Sequence, residues 1–102
     1  MSTQQRSTQH STAQEGVFAI SVAARMVRME VQNLRVYERR GLLTPERTDG
    51  GNRLYSEGDI ATLHRIRELL AEGLNLAGIA RVLALEHEVA ALRRRLRTAE
   101  GD

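Results

Sequence analysis

Five apolar residues near the C-terminus, Val82, Leu85, Val89, Leu92 and Leu96, follow one another at spacings of three, four, three and four. This is the a/d spacing of a helix with one narrow apolar seam, and a short helix of this kind is marginal until that seam is covered. The e and g positions of the same register hold Arg81, Glu86, Glu88, Arg93, Arg95 and Glu100. Either a helix over 57–71 in the same chain or a second copy of this one can cover the seam. Charge along both flanks favours the second copy, so Val82, Leu85, Val89, Leu92 and Leu96 are the candidate dimerisation residues. Charge does not choose the orientation. An antiparallel pair centred near residue 90 joins Glu86 to Arg93 and Glu88 to Arg95, and a parallel pair joins Arg81 to Glu86, Glu88 to Arg93 and Arg95 to Glu100. Exposed pairs of this kind contribute only ~0.2–1 kcal/mol each. The basic run Arg93-Arg94-Arg95 with Arg97 complements the dipole at the end of such a helix and is not taken as a DNA patch.

Upstream, the pattern breaks into short pieces. Val17-Phe18-Ala19-Ile20 is a brief apolar run, suited to a short strand or an extended lead-in. Ser21 is the candidate N-cap of a first helix over about 21–27, with Val22, Ala23, Met26 and Val27 as its buried face. Arg28-Met29-Glu30 forms a turn. A second helix over about 31–40 carries Val31, Leu34 and Tyr37 on its inner stripe, and Gly41 stops it. Two short helices joined by such a turn make a helix-turn-helix, whose second helix can enter the major groove.

The next stretch separates this hairpin of helices from any other. Leu42-Leu43-Thr44-Pro45 is extended, and Arg47-Thr48-Asp49-Gly50-Gly51-Asn52-Arg53-Leu54-Tyr55 is hairpin-turn chemistry with an arginine on either side. A basic hairpin directly after a helix-turn-helix suits a wing lying over a DNA backbone. Ser56 and Asp59 form a capping box for a helix over about 57–71, which Gly73 ends. Asn75 can cap the last helix, which contains Leu76, Ile79, Val82 and Leu83 and runs unbroken towards Arg97.

Composition narrows the function. There is no cysteine, which removes disulfides, thiolate metal sites and nucleophilic thiols. The aromatics are Phe18, Tyr37 and Tyr55, so the core is aliphatic. His10, His64 and His87 lack metal-ligand spacing, and no phosphate loop or nucleophile constellation is present; neither an enzyme nor a cofactor or metal is expected. All fifteen basic residues are Arg. A chain-wide preference of that kind reflects coding composition more than function, and the placement of the arginines says more. Residues 25–53 hold seven of them against four acids, a local charge of +3. The polar Ser/Thr/Gln-rich residues 1–16 are expected to be a disordered tail. No signal peptide or membrane span is expected, which makes the cytoplasm the default location.

Gln32-Asn33-Leu34-Arg35-Val36-Tyr37-Glu38-Arg39-Arg40-Gly41-Leu42-Leu43 resembles the recognition helix and following turn of the MerR family, and Arg47-Thr48-Asp49-Gly50-Gly51-Asn52-Arg53-Leu54-Tyr55-Ser56 resembles its wing. Ile20-Ser21-Val22-Ala23-Ala24 and Glu72-Gly73-Leu74-Asn75-Leu76-Ala77-Gly78-Ile79 are similar to the HspR-like, heat-shock repressor branch. The resemblance covers about 18–97. It implies a mainly α fold, a winged helix-turn-helix with a C-terminal dimerisation helix in a short antiparallel coiled coil. The domains are then a tail at 1–16, a DNA-binding domain at 17–80, a coiled-coil helix at 81–98 and a tail at 99–102. It also implies a homodimer on an inverted repeat of double-stranded DNA. Arg35 is then expected at base edges or the adjacent phosphate, Tyr37 at the DNA backbone and Arg53 at a phosphate. Gln32 and Asn33 suit the N6/N7 edge of adenine. Arg39, Arg47 and Asn52 complete the candidate DNA-contact set, whereas Leu34, Leu42 and Tyr55 are assigned to the core. The branch further implies repression of chaperone genes with the chaperone DnaK as co-repressor.

The sequence departs from the branch at the helix-helix turn, where Arg28 stands at a position often glycine and Glu30-Val31 replaces His-Pro. Nothing follows Asp102, whereas effector-sensing members carry a further domain and metal sensors carry cysteines, so drug or metal sensing is not expected. Two other functions fit the same residues: a DNA-binding-deficient antagonist that pairs with a related regulator through the seam, and a small developmental or phage-type regulator unconnected with heat shock.

Overall fold

The computed structural model describes residues 15–101. The expected tail at 1–16 therefore lies outside the described residues except for Glu15 and Gly16, and Asp102 also lies outside them. By its contacts the chain divides into a unit up to Glu68 and another from Leu69.

In the first unit, β1 (Phe18–Ala19) leads directly into α1 (Ile20–Val27), and α2 (Val31–Arg39) follows after a three-residue turn. The strands β2 (Glu46–Arg47) and β3 (Arg53–Tyr55) come next, and α3 (Glu57–Ala71) begins immediately after them. The sheet order is β1-β3-β2. Both outer strands run antiparallel to β3, pairing Phe18 with Tyr55, Ala19 with Leu54, Glu46 with Leu54 and Arg47 with Arg53. β1 is thus a strand, and it makes the hairpin a three-stranded sheet. Gly16 is tied in as well: its N–H donates to the Glu46 carboxylate at 3.0 Å, and the Val17 N–H donates to the Tyr55 carbonyl at 2.9 Å.

α1 packs on α2 and on β1 and β3. The unit's core is Ala23, Ala24 and Val27 from α1, Leu34 and Tyr37 from α2, then Leu42, Leu43, Tyr55, Ile60, Leu63 and Ile66. Each fully buried Leu, Ile or Val contributes about 1.5–3 kcal/mol relative to exposure. Two expectations about α1 need correction. Its N-cap is Ala19, not Ser21, because β1 delivers the chain in an extended conformation (φ −65°, ψ 158°) and the helix starts at once. Its buried face uses Ala24 in place of Met26, which is 44% exposed. In a helix this short, two overlapping apolar stripes are available, and packing on the sheet selects the one with the smaller side chains.

α1, α2 and α3 end in one pattern: a residue in the left-handed region, with its own N–H and the next one turned back onto the preceding turn. At Gly41 (φ +78°) the bonds are Gly41 N–H to the Glu38 carbonyl and Leu42 N–H to the Tyr37 carbonyl, both 2.9 Å. At Gly73 (φ +93°) they are Gly73 N–H to Leu70 at 2.9 Å and Leu74 N–H to Leu69 at 3.1 Å. At the end of α1 the same pair runs from Arg28 to Arg25 at 3.3 Å and from Met29 to Ala24 at 3.0 Å. There the left-handed residue is Arg28 itself, at φ 57°. The Arg67 guanidinium adds a 2.8 Å bond to the Val27 carbonyl. The capping box at the start of α3 is reciprocal: Ser56 N–H donates to the Asp59 carboxylate and Asp59 N–H to the Ser56 hydroxyl, both at 3.0 Å.

The second unit is dominated by α4 (Leu76–Gly101). Asn75 opens it by accepting from the Gly78 N–H at 2.8 Å. The helix continues to Gly101, so residues 99–101, expected as a tail, belong to it, with the Thr98 hydroxyl bonded to the Arg94 carbonyl. At 1.5 Å per residue it is about 39 Å long. Leu69, Ile79 and Leu83 are buried. No helix of the described residues is long and apolar enough to cross a membrane.

Candidate nucleic-acid interface

The nine residues of α2 divide by helical geometry into two faces. Leu34 and Tyr37, three apart, are buried, while Gln32, Arg35 and Arg39, at i, i+3 and i+7, are exposed on the opposite side. Val36, half-buried, lies within that exposed stripe, and Asn33 is exposed beside it. The stripe combines amide groups, guanidinium groups and one small apolar side chain, which are the group types that read base edges in a major groove. Val36 is a member that the sequence expectation omits; the spacing of Gln32, Arg35 and Arg39 points to it. Tyr37, expected at the DNA backbone, departs from the rest. It is 5% exposed, and burial raises its phenol pKa above the ordinary value. At the N-terminus of α2, Glu30 is the cap residue but makes no side-chain cap bond, as expected of a poor N-cap.

The turn between β2 and β3 is closed by Thr48. Its N–H donates to the Asn52 carbonyl at 2.8 Å, its carbonyl accepts from Gly51 at 2.9 Å, and its hydroxyl accepts from Asn52 N–H at 3.1 Å. Gly51 takes a φ of +85°, which a residue with a Cβ rarely adopts. Asn52 and Arg47 are exposed, and Arg53 is half-buried.

The two wing arginines meet on one carboxylate, a contact that sequence reasoning missed. Arg47 Nη2 donates to Glu38 Oε2 at 2.6 Å, and Arg53 Nε donates to Glu38 Oε1. Arg47 Nη1 also donates to the Gly51 carbonyl at 3.0 Å. Burial by itself would raise the Glu38 pKa, but the hydrogen bonds and charges of Arg53 and Arg47 outweigh it and hold the carboxyl below its ordinary value. The one signal in the sequence was an isolated acid at the heart of a basic segment. Nearby, the Tyr55 hydroxyl is fully enclosed and has no hydrogen-bond partner among the described residues.

Along α4, Leu85, Val89, Leu92 and Leu96 are 57%, 43%, 47% and 60% exposed, and Val82 is half-buried. Val82, Leu85, Glu86, Val89, Ala90 and Arg93 line a shallow, mainly apolar depression on this face. Among the described residues, no group of three or more His, Asp or Glu side chains is placed to hold a metal ion.

Residues 18–86 match the MerR HTH family regulatory protein model. Over 96 residues the chain is 43% identical to a Streptomyces coelicolor relative that carries the name heat shock protein HspR, covering 93% of this chain and 64% of the relative. It is 37% identical over 70 residues to the HTH-type transcriptional regulator GlnR of Bacillus anthracis, covering 69% of this chain and 54% of that one. The chain thus spans less than two thirds of the length of either relative. Among solved structures, a MerR family regulator lacking the sensor domain, bound to promoter DNA, superimposes with a TM-score of 0.65 at 26% identity, covering 82% of this chain and 65% of that one.

Proposed function

The chain belongs to the MerR family of helix-turn-helix regulatory proteins, and from that premise we propose that it binds an inverted-repeat operator as a homodimer and represses chaperone genes. A DNA-binding transcriptional regulator is what the family match and the similarity to HspR support. The observation that carries the DNA-binding part of this reading is the pairing of the exposed α2 stripe with a wing bonded to the same helix. Gln32, Asn33, Arg35, Val36 and Arg39 offer base-edge chemistry, and Arg53 keeps its two terminal amino groups without a partner among the described residues, available to a phosphate. The exposed α4 seam supports the homodimer, since four large apolar side chains in one row are a liability on a monomer. The family resemblance favours its antiparallel form. DnaK as co-repressor rests on the resemblance to the heat-shock branch.

Retention of genomic fragments by the purified protein at physiological salt tests this. Chaperone promoters among the retained fragments support the heat-shock branch, other promoters a regulator unconnected with heat shock, and no retained fragment an antagonist. DnaK added to the retained promoter should tighten binding. Arg35→Ala should relax base preference. Arg53→Ala should weaken binding almost equally on all sequences and lower the salt slope by about one. Specific binding that survives both substitutions contradicts the site.

A further inference from the structure

Glu38 places a carboxylate on the recognition helix, in a surface proposed to meet polyanionic DNA. Simple electrostatics says that this residue should harm binding. Its geometry says what it does instead. Its two oxygens hold one arginine each, Arg47 on β2 and Arg53 on β3, and those residues are direct cross-strand partners. The bonds span nine and fifteen residues of sequence, so they fasten the hairpin to α2 and not to its own neighbours. The Glu38 side chain is 16% exposed and that of Arg53 22%, so the pair is sheltered from solvent. Arg47 is committed at both ends, to Glu38 and to the Gly51 carbonyl. Arg53 is held through Nε, and its two terminal amino groups have no hydrogen-bond partner among the described residues.

We propose that Glu38 is a positioning residue for specificity: it locks wing and recognition helix into one rigid reader, aims the Arg53 fork, and withdraws Arg47 from direct DNA contact. The inference rests on the DNA-binding reading above. A trio of two arginines and one glutamate carries +1 in place of the +2 that the arginines alone would bring. The clamp therefore gives up non-specific attraction to phosphate and sets the register between the α2 stripe and the backbone contact.

The sign of one substitution separates the two views. Glu38→Gln keeps the shape and removes the negative charge. If Glu38 only repels DNA, the variant binds every duplex more tightly. If it positions the wing, the full-length variant binds a fragment retained by the wild type roughly tenfold more weakly, the low end of what a lost positioned arginine contact costs. Its binding to a random-sequence duplex should be unchanged or tighter, with a salt slope steeper by up to about one. A merely destabilised fold would weaken both duplexes alike, so the ratio of specific to non-specific affinity is the deciding readout. Specific binding as tight as wild type, or an unchanged ratio, overturns the proposal. Should circular dichroism show Glu38→Gln unfolded, Arg47→Met takes its place, because it leaves the Glu38–Arg53 bond intact. It should lower the ratio several-fold, within the range of a lost positioned contact, with the salt slope unchanged. A slope reduced by about one makes Arg47 a direct phosphate contact and overturns the proposal. A wild-type protein that retains no fragment removes the DNA-binding reading and this inference together, whereas binding by the wild type with no loss in the variant removes the inference alone.

Discussion

Substitutions at Arg28 should invert the usual ranking of alanine over glycine. Arg28 sits between α1 and α2 at φ 57°, ψ 48°, where a side chain's Cβ crowds the following carbonyl. That conformation costs an L-residue roughly 1–2 kcal/mol. Glycine escapes the clash but loses about 0.5–1 kcal/mol more backbone entropy on folding. Comparing Arg28→Gly with the wild type would mix this difference with a charge effect, since Arg28 lies at the C-terminal end of α1, where a cation contributes ~0.3–1 kcal/mol. The Arg28 side chain is exposed, and both Arg28→Gly and Arg28→Ala remove it equally. Their difference therefore isolates the backbone. Glycine should be the more stable by about 0.5–1 kcal/mol. For a domain of this size that corresponds to roughly 2–8 °C in melting temperature. Thermal denaturation followed by circular dichroism, at one fixed protein concentration because self-association would shift both midpoints, is the measurement. An alanine variant that melts at or above the glycine variant would refute the left-handed assignment.

Tyr55→Phe removes a buried hydroxyl that has no partner among the described residues, and an unsatisfied polar group of this kind costs about 1–3 kcal/mol; the urea midpoint should rise or stay level, and a clear fall would mean that the hydroxyl is bonded. Glu38 gives stability an acid dependence of known sign. Its folded pKa lies below the ordinary 4.5, so its contribution is complete above that value and is lost as pH falls through the lowered one. The difference in stability between wild type and Glu38→Gln should shrink as pH is taken from about 6 to about 3, and a difference that grows in acid contradicts the clamp. Leu85→Asp puts a charge into the proposed dimer seam, where each apolar side chain is worth about 1.5–3 kcal/mol when covered; sedimentation should show self-association weakened at least tenfold in favour of monomer, with helicity retained. Equal self-association of the variant and the wild type would place the dimer contact elsewhere.

What could be foreseen from sequence follows the range of the interactions. The ends of α2 and α3, the Ser56–Asp59 box and the Asn75 cap were all legible, since each closes its hydrogen bonds within about five residues of itself. The hairpin turn at Thr48–Asn52 was legible for the same reason, although the part of the Thr48 hydroxyl in it was not. Residues joined across the chain were hidden. β1 meets β3 across more than thirty residues, and a two-residue strand has no periodicity to announce it. Glu38 could be counted among the acids of a basic segment, but nothing local says that its carboxylate faces the hairpin. Tyr37 draws on both kinds of signal: the i+3 spacing from Leu34 put its ring on the inner stripe, where it is buried, while its role at the DNA backbone came only from the family resemblance.

The lengths of the strands explain why those hidden contacts matter to function. β2 has two residues and β3 three, far below what an isolated hairpin needs to hold its shape in water. The wing therefore keeps its form through attachments beyond its own ladder: β1 on one side, the Thr48 closure at its tip, and Glu38 beneath both arginines. β1 continues directly into α1, and Glu38 belongs to α2, so these attachments run into both helices of the helix-turn-helix. A distortion of either helix is consequently felt at the Arg53 fork, and a loss of wing order reaches the recognition helix through Glu38. In a unit this small, the groups proposed to read the bases and to grip the backbone are stabilised by the same few bonds, so on that proposal the accuracy of recognition depends on the intact fold.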